Sequence, residues 1–273
     1  MRLGTIAAVA ALTATLSAAQ WLNYPTVGVP KTANGQPNLS APAPRAADSK
    51  PDMSGIWQVD RGRVQGGPPC LTRECQQLRT GDQWLDFGAG IPGGLPYQPW
   101  AAAAKQQRMD QEGKDDPTSY CLPLGVPRML VSPELIKIIQ VPRLTVILNE
   151  RNASYRQIFT DGRPPPKDPQ PSWNGYSTAK WEGDTLVVDT NGLRDGLWLD
   201  RNGSPLTDAA RVTERFRRVN YGNLEIEITV NDSKAYTKPW TAKVHETIVL
   251  DTEMLDYICA ENEKDMTKHM VGK

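Results

Sequence analysis

ARVTERFRRVNYGNLEIEITVNDSKAYTKPWTAKVHETIV, residues 210–249, decides the fold. In a strand, successive side chains point to opposite faces, and this stretch alternates three times over. Val212 and Phe216 share one face of ARVTERFRR, while Thr213, Arg215 and Arg217 point the other way. In NLEIEITV the apolar face is Leu224, Ile226 and Ile228, opposite Glu225 and Glu227. In WTAKVHETIV it is Trp240, Ala242, Val244 and Ile248. The turn-forming NYGN separates the first two runs, so they read as neighbouring half-buried strands.

The same grammar extends backwards and forwards. LIKIIQV (135–141), LTVILNE (144–150), SYRQIF (154–159), STAKWEG (177–183), DTLVVDTN (184–191) and MLDYICAE (254–261) are short runs rich in branched residues. They are broken by VPR, DGR, EGD and LDTE at intervals that suit an all-β sandwich or barrel. SGIWQVD (54–60) is an earlier strand, with Trp57 and Val59 on one face and Ile56 and Gln58 on the other. RPPPKDPQP (163–171) cannot lie inside a strand and reads as a surface crossing. The spacing predicts one short helix, Pro99 to Glu112, with Pro early and Gly113 as its stop. The expected fold is therefore a mostly β, antiparallel, calycin-like barrel with one short helix and long Pro/Gly-rich loops.

Arg2, the apolar run Ile6–Leu16 and the small residues Ser17, Ala18 and Ala19 have the layout of a cleavable export signal, with cleavage expected after Ala19. No cysteine follows for a lipid anchor, and no later run approaches the ~20 apolar residues of a membrane span. The expected organisation is a signal peptide over 1–19, a flexible lead-in over 20–50, whose composition is poor in core-forming residues, and one barrel domain over 51–273. Location is then the periplasm or the cell exterior. The formal charge of zero gives no electrostatic case for nucleic acid or another polyanion. The cluster Arg215, Arg217, Arg218 reads as a solvated strand face.

Four cysteines in an exported chain favour two disulfides, with three possible pairings. Cys70 and Cys75 are close enough in sequence to close a small loop, within a Gly- and Pro-dense stretch that carries at most a turn of helix near Cys75–Leu78. Cys121 and Cys259 would then join the start of the β region to its end. A zinc site is the rival use, disfavoured by the spacing and by the presence of only His245 and His269 as imidazole ligands. No metal or cofactor is expected.

Alternation also sends two carboxylates to apolar faces. Glu214 falls between Val212 and Phe216, and Glu246 falls beside Val244 and Ile248. A carboxylate there must be paired, hydrogen-bonded or protonated. The candidate partners are Arg128, Arg163 and Arg211. Such a carboxylate is a register-fixing ion pair, a polar anchor for a ligand, or a general acid or base with a raised pKa. Trp57, Trp181, Trp198 and Trp240, with Tyr176 and Tyr236, supply aromatic surface for the core or for stacking on a ligand, Trp198 being the candidate for a barrel mouth. His245 lies on the polar face of its strand. No GxSxG, HExxH, Walker or GxGxxG pattern is present, which disfavours triad hydrolases, zincins and nucleotide enzymes.

SGIWQV resembles the first-strand signature of lipocalins, and KWEGDTLVV with VTERF is similar to late strands of fatty-acid-binding proteins of the same calycin group. On a longer scale, LPYQPWAAA, GKDDP, YCLPLGVPRM, WEGDTLVVDT, VTERFRR, KAYTKPW and ENEKDMTKHMVG resemble a family of uncharacterised exported bacterial proteins, from about residue 90 to the end. The resemblance implies an exported barrel without implying an activity. Where that family often carries histidines, this chain has Tyr176, Leu206 and Arg211. Two functions follow from these readings. One is a lipocalin-like barrel that binds a small, mostly apolar ligand through Glu214, Glu246 and an arginine. The other is a lyase, isomerase or hydrolase that uses one of these acids as base and Arg128 or Arg163 to steady an anion. A surface that docks a partner is a third.

Overall fold

The computed structural model describes residues 24–60, 86–88 and 91–261. The export signal, Cys70, Cys75 and the turn near Cys75–Leu78 lie outside the described residues. Nine strands close into a barrel. They are β1 (Gly55–Val59), β2 (Ile136–Val141), β3 (Leu144–Asn149), β4 (Ser154–Phe159), β5 (Tyr176–Glu182), β6 (Thr185–Asn191), β9 (Arg211–Arg218), β10 (Asn223–Asn231) and β11 (Trp240–Ile248). A separate two-stranded ribbon, β7 (Leu197–Trp198) with β8 (Pro205–Leu206), leaves the wall between β6 and β9. Around the ring the order is β1-β11-β10-β9-β6-β5-β4-β3-β2, and β1 closes it by pairing with both β11 and β2. Among the described residues there is one α-helix, α1 (Pro99–Asp110), which starts on the proline and buries only Ala101.

The alternation read from residues 210–249 sets the wall's two faces. Val212, Phe216, Leu224, Ile226, Ile228, Val230 and Val244 point into one hydrophobic core and are at most 2 % exposed. Each such aliphatic contributes on the order of 1.5–3 kcal/mol on leaving water. The buried turn Arg128–Leu130, which is not part of the ring, adds Met129 and Leu130 to that core, and the Asn149 amide of β3 donates to the Met129 carbonyl at 3.4 Å.

Two elements differ from expectation. MLDYICAE forms no strand; Tyr257 makes a single bridge to Arg151. The physical reason is that β1 already occupies the edge of β11, so the ring offers the later run no partner. From residue 24 the expected flexible lead-in lies against the barrel. The carbonyls of Ala41 and Leu39 accept the N–H groups of Tyr221 and Gly222, each at 2.8 Å, and Arg45 pairs with Asp184 at 2.7 Å. Composition weighs side chains and misses such backbone hydrogen bonding.

The ring has one irregular seam. Between β4 and β5 the chain crosses over through the Pro-rich stretch, so these strands run parallel, and they pair only at Ile158 with Ser177 and Phe159 with Thr178. Every other neighbouring pair in the barrel is antiparallel.

Candidate functional site

Below those two pairs, β4 and the segment entering β5 diverge and leave a cleft of about 470 Å³ in the wall. Tyr155, Phe159, Trp173 and Tyr176 are among its lining residues, with Asn152, Asn174, Arg156 and Ser177. Asn174 donates to the Tyr155 carbonyl across the gap at 2.7 Å. Phe159 and Tyr176 stack at 5.1 Å, and the Arg163 guanidinium covers the Phe159 ring at 4.0 Å. Arg163 also donates to the Tyr176 hydroxyl at 3.3 Å and is gripped by Asp161, whose carboxyl that hydrogen bonding holds down at about 2. Arg194 lies 4.6 Å over Trp173. The cleft thus has aromatic walls stiffened by cation–π contacts.

Arg156 and Ser177 are cleft-lining residues that are themselves only 1 % exposed. Arg156 makes a two-pronged ion pair with Glu214, which is fully buried: Nη1 donates to Oε1 at 2.9 Å and Nη2 to Oε2. Its Nε donates to the Ser177 hydroxyl at 3.1 Å and Nη2 to the Thr190 hydroxyl at 2.8 Å; those hydroxyls are 2.9 Å apart. One guanidinium therefore ties β4 to β5, β6 and β9 where the wall's own ladder is shortest. Both oxygens of Glu214 are engaged, which leaves this acid poorly placed to take a proton from a substrate.

Glu214 and Glu246 are 0 % and 2 % exposed, on the inward face. The partner of Glu214 is Arg156 rather than Arg128, Arg163 or Arg211. Arg128 is buried and paired with Asp116 at 2.6 and 2.8 Å; burial pushes that acid up, but the hydrogen bonds and charge of Arg128 outweigh it and its pKa is lowered. Arg163 stands at the rim of the cleft, and Arg211 is exposed, donating to the Ala210 carbonyl. Glu246 lies between Leu224 and Val59 in the neighbouring strands. Its burial, reinforced by the nearby Asp60, holds its carboxyl well above the usual range, and it is remote in register from the seam.

The sequence-selected aromatics divide between core and surface layers. Trp57 is fully buried beneath Arg218 at 4.8 Å, and Trp240 packs on Phe87 and Tyr236, each at 5.7 Å. The Tyr236 hydroxyl donates to the Pro205 carbonyl at 2.8 Å. Trp198 is buried under Arg108 at 4.6 Å, and Trp181 is half-buried against the core. Of the aromatic and arginine candidates, the structure brings Tyr176 and Arg163 to the cleft. His245 is exposed on the outer face.

Arg218 departs from the solvated cluster. Arg215 and Arg217 pair on the outside with Glu182 and Glu225, at 3.0 and 3.2 Å. Arg218 has the parity of Glu214 and Phe216 and turns inward, donating to the carbonyls of Asp52, Ser54 and Tyr221; burial lowers its pKa to about 10. Arg156, Ser177 and Thr190 were missed. Arg156 shares the face of Ile158, but Tyr155 and Phe159 offer a more apolar rival face in SYRQIF and mask that parity.

Cys121 and Cys259 are joined by a disulfide, 138 residues apart. Among the described residues no three His, Cys, Asp or Glu side chains gather into a metal-binding group, and no helix is long and apolar enough to cross a membrane. No protein-family model matches the chain, and no curated protein matches it.

Proposed function

We propose that this chain is an exported, lipocalin-like binding barrel that takes a small, flat, mostly apolar ligand with an anionic or hydrogen-bonding edge. The ligand sits in the cleft between β4 and the segment entering β5, not on the barrel axis, where side chains form a continuous core. The carrying observation is the seam itself: an aromatic-walled opening of about 470 Å³ with Arg156 and Ser177 among its lining residues. That size falls in the range of small-molecule sites, which combine apolar walls with a few fixed polar groups. The Cys121–Cys259 disulfide supports a periplasmic or secreted location, since such bonds persist in oxidising compartments. Engagement of both Glu214 oxygens favours binding over general-base catalysis.

The test uses 1-anilinonaphthalene-8-sulfonate, a flat apolar anion, with energy transfer from tryptophan as the readout. Wild type should bind it saturably, one per chain. Ser154→Trp, which fills the cleft, and Trp173→Ala, which removes a wall, should each abolish or strongly weaken that binding while the melting transition persists. Equal binding by all three proteins, or none by wild type, overturns the proposal.

A further inference from the structure

The ribbon of β7 and β8 reverses through Leu199, Asp200, Arg201, Asn202, Gly203 and Ser204. Asp200 in this turn is 1 % exposed. Its Oδ1 accepts the Ser204 N–H at 3.2 Å, but its Oδ2 is buried with no hydrogen-bond partner. A second carboxylate faces the same turn. Asp86 accepts from the Asn202 amide at 2.8 Å through Oδ2 and from the Gly88 N–H at 2.7 Å through Oδ1. The Ser204 hydroxyl lies 2.8 Å from that of Tyr97.

Two acids, an amide and two hydroxyls thus gather hard oxygen atoms beside an orphaned buried one. Burial, and then the charge of Asp86, both work against ionisation of Asp200. Two cations act on Asp200 from nearby: the Lys105 ammonium, whose Nζ lies 5.5 Å over the Tyr97 ring, and the Arg108 guanidinium, which donates to the Gly203 carbonyl at 2.7 Å. A bound cation would satisfy the orphan oxygen and cancel the repulsion together.

We propose that Asp200 and Asp86, with the Ser204 hydroxyl and the side-chain oxygen of Asn202, form a site for a hard divalent cation of the calcium type. Such ions take carboxylates, amide carbonyls, hydroxyls and water in irregular sets, whereas soft-metal sites need thiolate or imidazole. The Asn202 amide would turn over to present its oxygen, exchanging its hydrogen bond to Asp86 for a share of the ion. The ion's structural effect is to clamp the Asp86 loop to the ribbon. This site is separate from the wall cleft, and its test is independent of the binding proposal.

The full chain, stripped with a chelator, is titrated with terbium, whose emission is sensitised through nearby Tyr97 and Trp198, and then with calcium as competitor. Saturable emission displaced by calcium, and a melting temperature that rises with calcium, are expected. Asp200→Asn should weaken terbium binding roughly tenfold or more and remove the calcium-dependent rise, while leaving binding of the naphthalene sulfonate intact. Asp86→Asn serves as a second variant if the first does not fold. The proposal is overturned if wild type gives no saturable emission and no thermal shift, or if the folded variants keep both.

Discussion

Arg156 on β4 and Glu214 on β9 meet inside the barrel although two strands, β5 and β6, separate them in the wall. The pair spans the inside of the seam, and Ser177 and Thr190 satisfy the guanidinium on the way. Removing one partner strands the other without water. Glu214→Leu or Arg156→Met alone should therefore cost about 3–5 kcal/mol in urea unfolding. The double variant Arg156→Met/Glu214→Leu should recover most of that loss. Additive losses would show that the pair does not act as a unit.

Glu246 gives a pH dependence of definite sign. Its folded-state pKa is raised above the ordinary glutamate value of about 4.3. Between the unfolded and folded pKa values the native chain holds the extra proton, so this group makes stability fall as pH rises through that window. Glu246→Gln removes the cost. The variant's melting temperature should match wild type near pH 4 and exceed it by a growing margin towards neutral pH. A constant gap across the range would contradict the assignment.

Gly175 enters the cleft with φ +61°, and a Cβ there would lie 2.5 Å from the Asn191 carbonyl oxygen and 2.8 Å from the Thr190 methyl carbon. Gly175→Ala is expected to destabilise by about 1–3 kcal/mol. Because the backbone must shift next to Tyr176, it should also weaken binding of the naphthalene sulfonate. Titrating the probe at a temperature where the variant is fully folded separates the two effects.

The Cys121–Cys259 bond closes a loop of 138 residues that contains most of the wall. Constraining so long a loop in the unfolded chain is worth about 2–5 kcal/mol. The paired variant Cys121→Ser/Cys259→Ser should unfold at correspondingly lower denaturant concentration. It should also raise amide exchange around Tyr257, whose N–H bonds to the Glu150 carbonyl at 3.1 Å beside the bond.

Strand positions and faces were legible because period-two alternation is a local property, and ARVTERFRR, NLEIEITV and WTAKVHETIV carry it cleanly. The burial of Glu214 and Glu246 follows from the same rule. The cleft was not legible, because it arises from strand order: a parallel contact of two residue pairs follows from where the Pro-rich crossing returns, which no local pattern encodes. The arginine was misassigned for a related reason. Arg128, Arg163 and Arg211 stand in or next to turns, where long side chains are free to reach inward, whereas Arg156 lies mid-strand between Tyr155 and Gln157 and reads as outward until β4 is placed in the ring.

The double pairing of β1 carries a consequence for how the molecule is made. Gly55–Val59 is synthesised before every other strand of the ring, yet one of its two neighbours is β11, the last to emerge. Contacts so remote along the chain raise the contact order and slow folding. Until the carboxy-terminal strand arrives, Ile56 and Trp57 remain on an incomplete ladder. The first strand made is thus completed only by the last, and closure of the ring waits on the end of the wall.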